Sequence, residues 1–231
     1  MHQLTPGQIY LADRRGFYED ASVQSNYMFN YNGYFADNRE PFGPLTVFND
    51  EVLAAKKSIV ITVGCNGYAL LIPVTGAVDA DVAGECFTLD VGQMHVLQLN
   101  EGDVISLTNP YDDYQINYLF LQFKCEPTQA YKRQFNFDFA GKPNQLLPVI
   151  KRSELPFSVQ IGHFEGRKES LYEKTGNESM LYCFLIAGAF EVQGRLLHER
   201  DGLALWNTND ADMEALSNGA VILVIEMPDA N

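Results

Sequence analysis

Histidines, cysteines and carboxylates are the side chains that could carry metal or nucleophilic chemistry, and this 231-residue chain spaces them widely. Its four histidines, His2, His95, His163 and His198, include no H-x-H pair, the spacing that sets two imidazoles on one face of a strand. The best remaining metal cluster is His163 and Glu165, which alternate along SVQIGHFEG, with Glu173 on the following strand. His95, alone in MHVLQL, reads as a hydrogen-bonded structural residue, and His198 as one of a solvated charge cluster at His198–Asp201. Cys65 sits between Gly64 and Gly67, where a nucleophilic thiolate would need a neighbouring cation to lower its pKa. The four cysteines (Cys65, Cys86, Cys125 and Cys183) form no C-x-x-C pair and read as free thiols. A GxSxG elbow, a phosphate-cradling glycine loop and an HExxH pair are all missing.

The elements that would position these groups are strands. From Leu45 the chain runs LTVFNDEVLA, SIVITVG, YALLIPV, AVDADV, CFTLDV, MHVLQL, DVISLT and NYLFLQF, each short, rich in β-branched or aromatic residues and bounded by turn formers. After a break the rhythm resumes with LLPVIK, FSVQIGHFE, SLYEK, MLYCFLIAG, AFEVQG, LALWN, MEALS and AVILVIEMP. Earlier, QIYLADRRG reads as a strand ending in a turn, and period two sets Tyr27, Phe29 and Tyr31 on one side of an extended segment. With no helical pattern between strands, the class is all-β, as sandwiches or barrels.

The second half repeats the first. LLIPVTGAV answers CFLIAGAFEV through Gly76-Ala77 and Gly188-Ala189, and two further glycine pairs, Gly92 with Gly202 and Gly102 with Gly219, follow in the same order. Two tandem β domains are predicted, 1–125 and 145–231. The intervening 126–144 reads as a linker, with a short helix after Pro127.

A formal charge of −14 with 16 scattered basic residues opposes binding to a phosphate backbone, which needs clustered Lys and Arg. No run reaches the roughly 18 apolar residues of a membrane span. The N-terminal MHQLTPGQIYLADRRG lacks the pattern of a signal or transit peptide, so a cytoplasmic protein is predicted.

Glycine-punctuated β domains duplicated in one chain resemble cupins, and the sequence is most similar to the pirin family of bicupins. The resemblance is carried by YMFNYNGYFADNREPFGPLTVFNDEVLAAKKSI at Tyr27–Ile59, with echoes in the Leu70–Val78 hairpin and in DGLALWN at Asp201–Asn207. It implies two tandem cupin barrels, each a double-stranded β-helix or jelly roll. It also implies one metal, commonly iron, in the N-terminal barrel, held by three histidines and a glutamate. Counting along the chain, the family's H-x-H falls on Thr62 and Gly64, and the remaining His and Glu fall among Ile105, Ser106, Leu107 and Thr108. None of these can replace the expected ligand, so neither metal nor other cofactor is predicted.

The chain therefore reads as a pirin-like bicupin without the N-terminal metal site, non-catalytic, binding a small organic ligand or a protein partner. Thr62 and Gly64 are expected to face inward, with a ligand pocket lined by Thr62, Cys65, Tyr68, Ser106 and Tyr118 and closed at its mouth by Tyr27, Phe29 and Tyr31. The alternative is a cupin-type oxygenase, resembling quercetin dioxygenases, with a site rebuilt from His163, Glu165 and Glu173. Association into a homo-oligomer through exposed strand edges stays open.

Overall fold

The computed structural model describes residues 5–126, 130–176 and 178–229. Apart from one 3-10 turn at Ala12–Arg14, their regular structure is all β. Strand β1 (Gly7–Tyr10) is followed by β2 (Gly16–Glu19), β3 (Val23–Tyr27), β4 (Leu45–Leu53), β5 (Ser58–Thr62) and β6 (Gly67–Thr75). Next come β7 (Val78–Val82), β8 (Glu85–Leu89), β9 (Gln93–Leu99), β10 (Val104–Thr108), β11 (Ile116–Lys124) and β12 (Lys132–Asn136). The second series is β13 (Leu146–Ile150), β14 (Ser158–Phe164), β15 (Glu169–Glu173), β16 (Ser179–Ala187) and β17 (Phe190–Val192). It ends with β18 (Arg195–Leu197), β19 (Gly202–Leu205), β20 (Asp210–Ala215) and β21 (Ala220–Pro228).

The strands form two compact units. One is Arg15–Asn136, and the other joins the segment ending at Arg14 to the chain from Phe137 onward. The first has a large sheet in the order β12-β9-β6-β11-β4-β3-β2 and a small sheet β5-β10-β7-β8. The second has β1-β19-β16-β21-β14-β13 and β15-β20-β17-β18. Apart from β2, which has no counterpart, both sheets follow one plan, so the duplication legible in the glycines is a duplication of jelly rolls. Gly76 and Gly188 both adopt positive φ at the turn after the equivalent strands β6 and β16, where a glycine avoids the Cβ clash. The Gly92 and Gly202 pair has two different causes: Gly92 needs a positive φ, whereas a Cβ on Gly202 would lie 2.2 Å from the Tyr182 hydroxyl.

Two boundaries differ from the sequence reading. Residues 7–10 pair with β19 through Gly7↔Leu205 to Tyr10↔Gly202 and so complete the second unit's large sheet, not the first. Residues 132–136, read as linker, form β12 and pair with β9 in the equivalent edge position of the first unit. The second unit's large sheet takes one edge strand from the other end of the chain, and pairing between segments far apart in sequence leaves no local signature. The helix expected after Pro127 falls on residues outside those described.

Each core lies between its unit's two sheets. In the first unit Val47, Leu53, Ile61, Leu71, Ile105, Leu107 and Phe120 belong to one buried cluster. In the second, Phe164, Cys183, Leu185, Phe190, Ile222 and Val224 do the same. Gly67 opens β6 with φ 152°, and a Cβ there would come within 1.9 Å of the Phe123 carbonyl oxygen. A Gly67→Ala variant is therefore expected to lose about 3 kcal/mol of stability. A urea titration followed by circular dichroism measures this; an unchanged midpoint would show that β6 and β11 can part there without cost.

Candidate functional site

Strand β4 reads LTVFNDEVL, and period two puts Val47, Asn49, Glu51 and Leu53 on one face. Val47 and Leu53 join the first unit's core, so the same alternation carries an amide and a carboxyl to its edge. Glu51 is 3% exposed and Asn49 2%. The antiparallel register sets Ser25 of β3 and Tyr118 of β11 directly across from Glu51, one on each side, and Tyr27 across from Asn49. The Ser25 hydroxyl donates a short hydrogen bond to Glu51 Oε2. On the opposite face of β4, Asp50 is held by Arg15 Nη1 at 2.8 Å and by Asn117 Nδ2 at 2.7 Å.

Along one side of this unit, between β2 and β3 of the large sheet and β5 of the small one, lies a cleft of about 450 Å³. Asn49 and Glu51 form its floor, Tyr27 and Tyr31 its aromatic wall and Asp20 part of its rim. The Tyr27 and Tyr31 rings meet edge to face at 5.2 Å. Burial pushes the Glu51 carboxyl up to about 7, although the Ser25 hydroxyl and Asn49 amide pull it back; the neighbouring Asp50 charge adds to the rise. Burial, and then the charge of Glu51, lifts the Tyr31 hydroxyl to about 12 and the Tyr118 hydroxyl well above its ordinary value. Asn49 Oδ1 and Tyr118 Oη, both buried, have no hydrogen-bond partner among the described residues. Buried polar atoms are ordinarily paired, so this pair next to a carboxyl marks a place for a guest or for water.

Only part of the predicted pocket gathers here. Tyr118 is fully buried behind the cleft, across from Glu51, and Thr62 is exposed at its rim. Cys65 instead receives Gln122 Nε2, at 2.8 Å on its carbonyl oxygen and 3.3 Å on its sulfur. Tyr68 packs edge to face on Tyr131 at 6.0 Å, on the face of β6 opposite the core residues Ala69 and Leu71. Ser106 lines a separate shallow depression with Asp79, Asp81 and Thr108 on the outer side of the small sheet. The inward assignment of Thr62 and Gly64 is corrected: Ile61 and Val63 are buried in the core, while Thr62 and Gly64 are exposed. A one-residue error in phase reverses every side chain of a strand, and IVITV offers no polar alternation to fix the phase. Of the expected mouth residues, Tyr27 and Tyr31 line the cleft. Phe29 lies past the end of β3 and is buried elsewhere.

Glu51 was the residue to find from sequence. Its signal is an inward N-x-E on a strand that otherwise alternates as core.

The second unit has no counterpart. Its equivalent of the Glu51–Tyr118 cross-strand pair is Gly162–Ile222, and a Cβ on Gly162 would sit 2.4 Å from the Phe164 ring. The His163, Glu165 and Glu173 cluster also does not form. Phe164 points into the core, leaving its neighbour His163 against the Phe139 ring at 5.6 Å, while Glu165 and Glu173 are exposed. The most deeply buried carboxylate among the described residues of this unit, Glu226, is bound by five protein donors of the Tyr172–Ser179 segment.

A cupin metal centre does not fit the residues present in the first unit. β5 with its following residue, and β10, turn Ile61, Val63, Ile105 and Leu107 into the barrel, and hydrocarbon side chains offer a metal no lone pair. Among the described residues no three His, Cys, Asp or Glu side chains converge as ligands.

Two facing antiparallel sheets in each of two like units define a bicupin. The strand plan is the one seen in solved bicupin structures, a bacterial pirin among them. Residues 157–227 match the family described as the quercetinase C-terminal cupin domain. YhhW from Escherichia coli superposes with a TM-score of 0.85 at 17% identity, covering 97% of this chain and 98% of that one. The same bacterial pirin in complex with nickel(II) gives 0.84 at 16% identity, over 97% and 100% of the two chains. A quercetin 2,3-dioxygenase from Acinetobacter baumannii gives 0.73 at 11%, over 97% and 80%. Comparison with curated protein sequences finds no match. No helix of the described residues is long and apolar enough to cross a membrane.

Proposed function

We propose that this pirin-type bicupin is a non-catalytic, cytoplasmic binding protein that takes a small organic molecule into the Glu51 cleft of its first unit. One observation carries the reading: Asn49 Oδ1 and Tyr118 Oη are buried without partners beside a buried carboxyl, at a cleft that opens to solvent. A guest that pairs these atoms recovers the cost of leaving them unpaired, about 1–3 kcal/mol for each group. The cleft is of the size that small organic ligands occupy. The likeness to a nickel-bound pirin and to a quercetin dioxygenase supplies the other reading, a metal-dependent oxygenase. The apolar residues facing inward from β5 and β10 weigh against it.

The test is a fragment screen on chelator-treated protein, read by chemical-shift changes at the backbone amides of Asn49, Glu51 and Tyr118. Fragments are expected to bind there without added metal. Binding that appears only with a divalent metal, or hits confined to other surfaces, would contradict the proposal. Tyr118→Phe provides a second check, because removing a buried hydroxyl that has no protein partner should leave the free protein unchanged or about 1 kcal/mol more stable. The same variant should weaken fragment binding about tenfold. A variant less stable than wild type would show that the hydroxyl already has a structural role.

A further inference from the structure

The three groups left for a guest all accept hydrogen bonds. Asn49 Oδ1 is a carbonyl, its amide being already turned to Glu51; Tyr118 Oη, a donor as well as an acceptor, has a lone pair free of donors among the described residues; Glu51 is a carboxyl with no described basic side chain on it. Arg15, just before β2, is committed to Asp50 on the other face of β4. Among the described residues no Lys or Arg lines the cleft, and its rim carries Asp20. Tyr27 and Tyr31 present ring surface beside the carboxyl. A buried carboxyl, unpaired acceptors and aromatic faces suit a nitrogen cation, which donates several hydrogen bonds and is attracted to the negative face of a ring. An anionic guest would meet Glu51 and Asp20 with no cation to offset them.

We infer that the cleft selects a primary or secondary amine attached to an apolar or aromatic body, with the ammonium seated among Glu51, Asn49 Oδ1 and Tyr118 Oη. This rests on the reading of the cleft as a binding site and specifies which chemistry it accepts. The exchange is a desolvation and pairing step with no bond made or broken within the guest. A second copy of the second unit's plan could not do the same, because Gly162, Ile222 and the Phe164 ring occupy the corresponding positions.

The experiment uses the full chain at pH 8 with three probes of one shape: 2-phenylethylamine, 2-phenylethanol and 3-phenylpropionate. Titration calorimetry and the backbone amide shifts of Asn49, Glu51 and Tyr118 give affinity and location together. The amine is expected to bind at least tenfold more tightly than the alcohol, with the propionate not binding. Glu51→Gln is expected to remove most of the amine's advantage while leaving the weak alcohol affinity in place. Circular dichroism confirms that the variant is folded, and Ser25→Ala, which keeps the carboxyl, should retain the preference for the amine. Alcohol or propionate binding in the cleft as tightly as the amine would overturn the inference and leave the cleft as a binding site. If none of the three probes shifts the cleft amides, both the inference and the binding-site reading fall.

Discussion

Replacing Glu226 by alanine is expected to destabilise the second unit by about 4 kcal/mol, enough to lower its urea midpoint well below that of the first unit. Glu226 is fully buried on β21. Its oxygens accept the Tyr172 hydroxyl at 2.8 Å, the Thr175 amide at 3.0 Å and hydroxyl at 2.9 Å, the Gly176 amide at 2.8 Å and the Ser179 hydroxyl at 2.6 Å. Burial alone would push this carboxyl up, but the Ser179 hydroxyl, the Thr175 and Gly176 amides and the Tyr172 hydroxyl together hold it below the ordinary carboxylate range. Alanine would leave those donors facing a cavity. Glutamine keeps one accepting oxygen and turns an NH2 towards the other donors, so about 2 kcal/mol is expected for Glu226→Gln. Because the folded-state pKa is lowered, the stabilisation is present above the ordinary carboxylate pKa and is lost as the solution is acidified through the folded value. Equal midpoints for wild type and Glu226→Ala would mean that the segment Tyr172–Ser179 satisfies its donors elsewhere.

In the first unit two buried groups should give opposite pH dependences that nearly cancel. Glu51 rises from 4.5 to about 7 on folding, so its neutral form favours the fold below 4.5, and that advantage is lost as pH rises through 7. His95 falls from 6.5 to about 4, chiefly by burial and secondarily by the Lys132 charge, so the fold is favoured above 6.5 and loses that advantage as pH falls towards 4. The ring lies stacked on Phe87 at 4.1 Å, and neither nitrogen has a hydrogen-bond partner. Each displacement corresponds to about 3 kcal/mol between its two limits. The ionisable groups around Glu51 are Tyr18 of β2, Asp20 of the turn, Tyr27 of β3, Tyr31 of the loop beyond, Asp50 of β4 with Arg15, and Tyr118 of β11, while β5 brings none.

Wild-type stability of this unit is therefore expected to change little between pH 4.5 and 6.5. Glu51→Gln should expose the histidine's slope, with stability rising by about 3 kcal/mol from pH 4 to 6.5. His95→Phe, which keeps the stack on Phe87, should expose the carboxyl's, with stability falling by a similar amount from pH 4.5 to 7. Hydrogen exchange at core amides such as Leu71 and Leu107 reads both curves. Parallel slopes in the two variants would show that one of the groups is not titrating as its surroundings require.

Much of this fold was legible because strands of the two cores advertise themselves. YALLIPV and MLYCFLIAG are apolar runs ended by Gly76 and Gly188, and their turns recur in register with the duplicated sheets. What escaped was non-local. Nothing in GQIY says that it will pair with residues 202–205, and KRQFN, with a single buried residue at Phe135, carries no strand alternation beyond that residue. The site was legible only in part for a related reason. Tyr118 sits in an obvious strand, and so do Asn49 and Glu51, but in N-D-E only the period-two phase counted from Val47 to Leu53 tells which of the three polar residues turn inward. Beside it, IVITV, apolar but for Thr62, hid its own phase and sent Thr62 to the wrong face.

The most direct test of a cleft centred on Glu51, with no metal centre behind it, is a crystal structure of protein purified without chelator from metal-supplemented medium, with anomalous data at the iron, nickel and zinc edges. The expected result is no anomalous scatterer between β5 and β10, and guest density or an added amine against Glu51, Asn49 Oδ1 and Tyr118 Oη. A metal ion bound between β5 and β10, with the Glu51 cleft empty in the presence of the amine, would contradict the account.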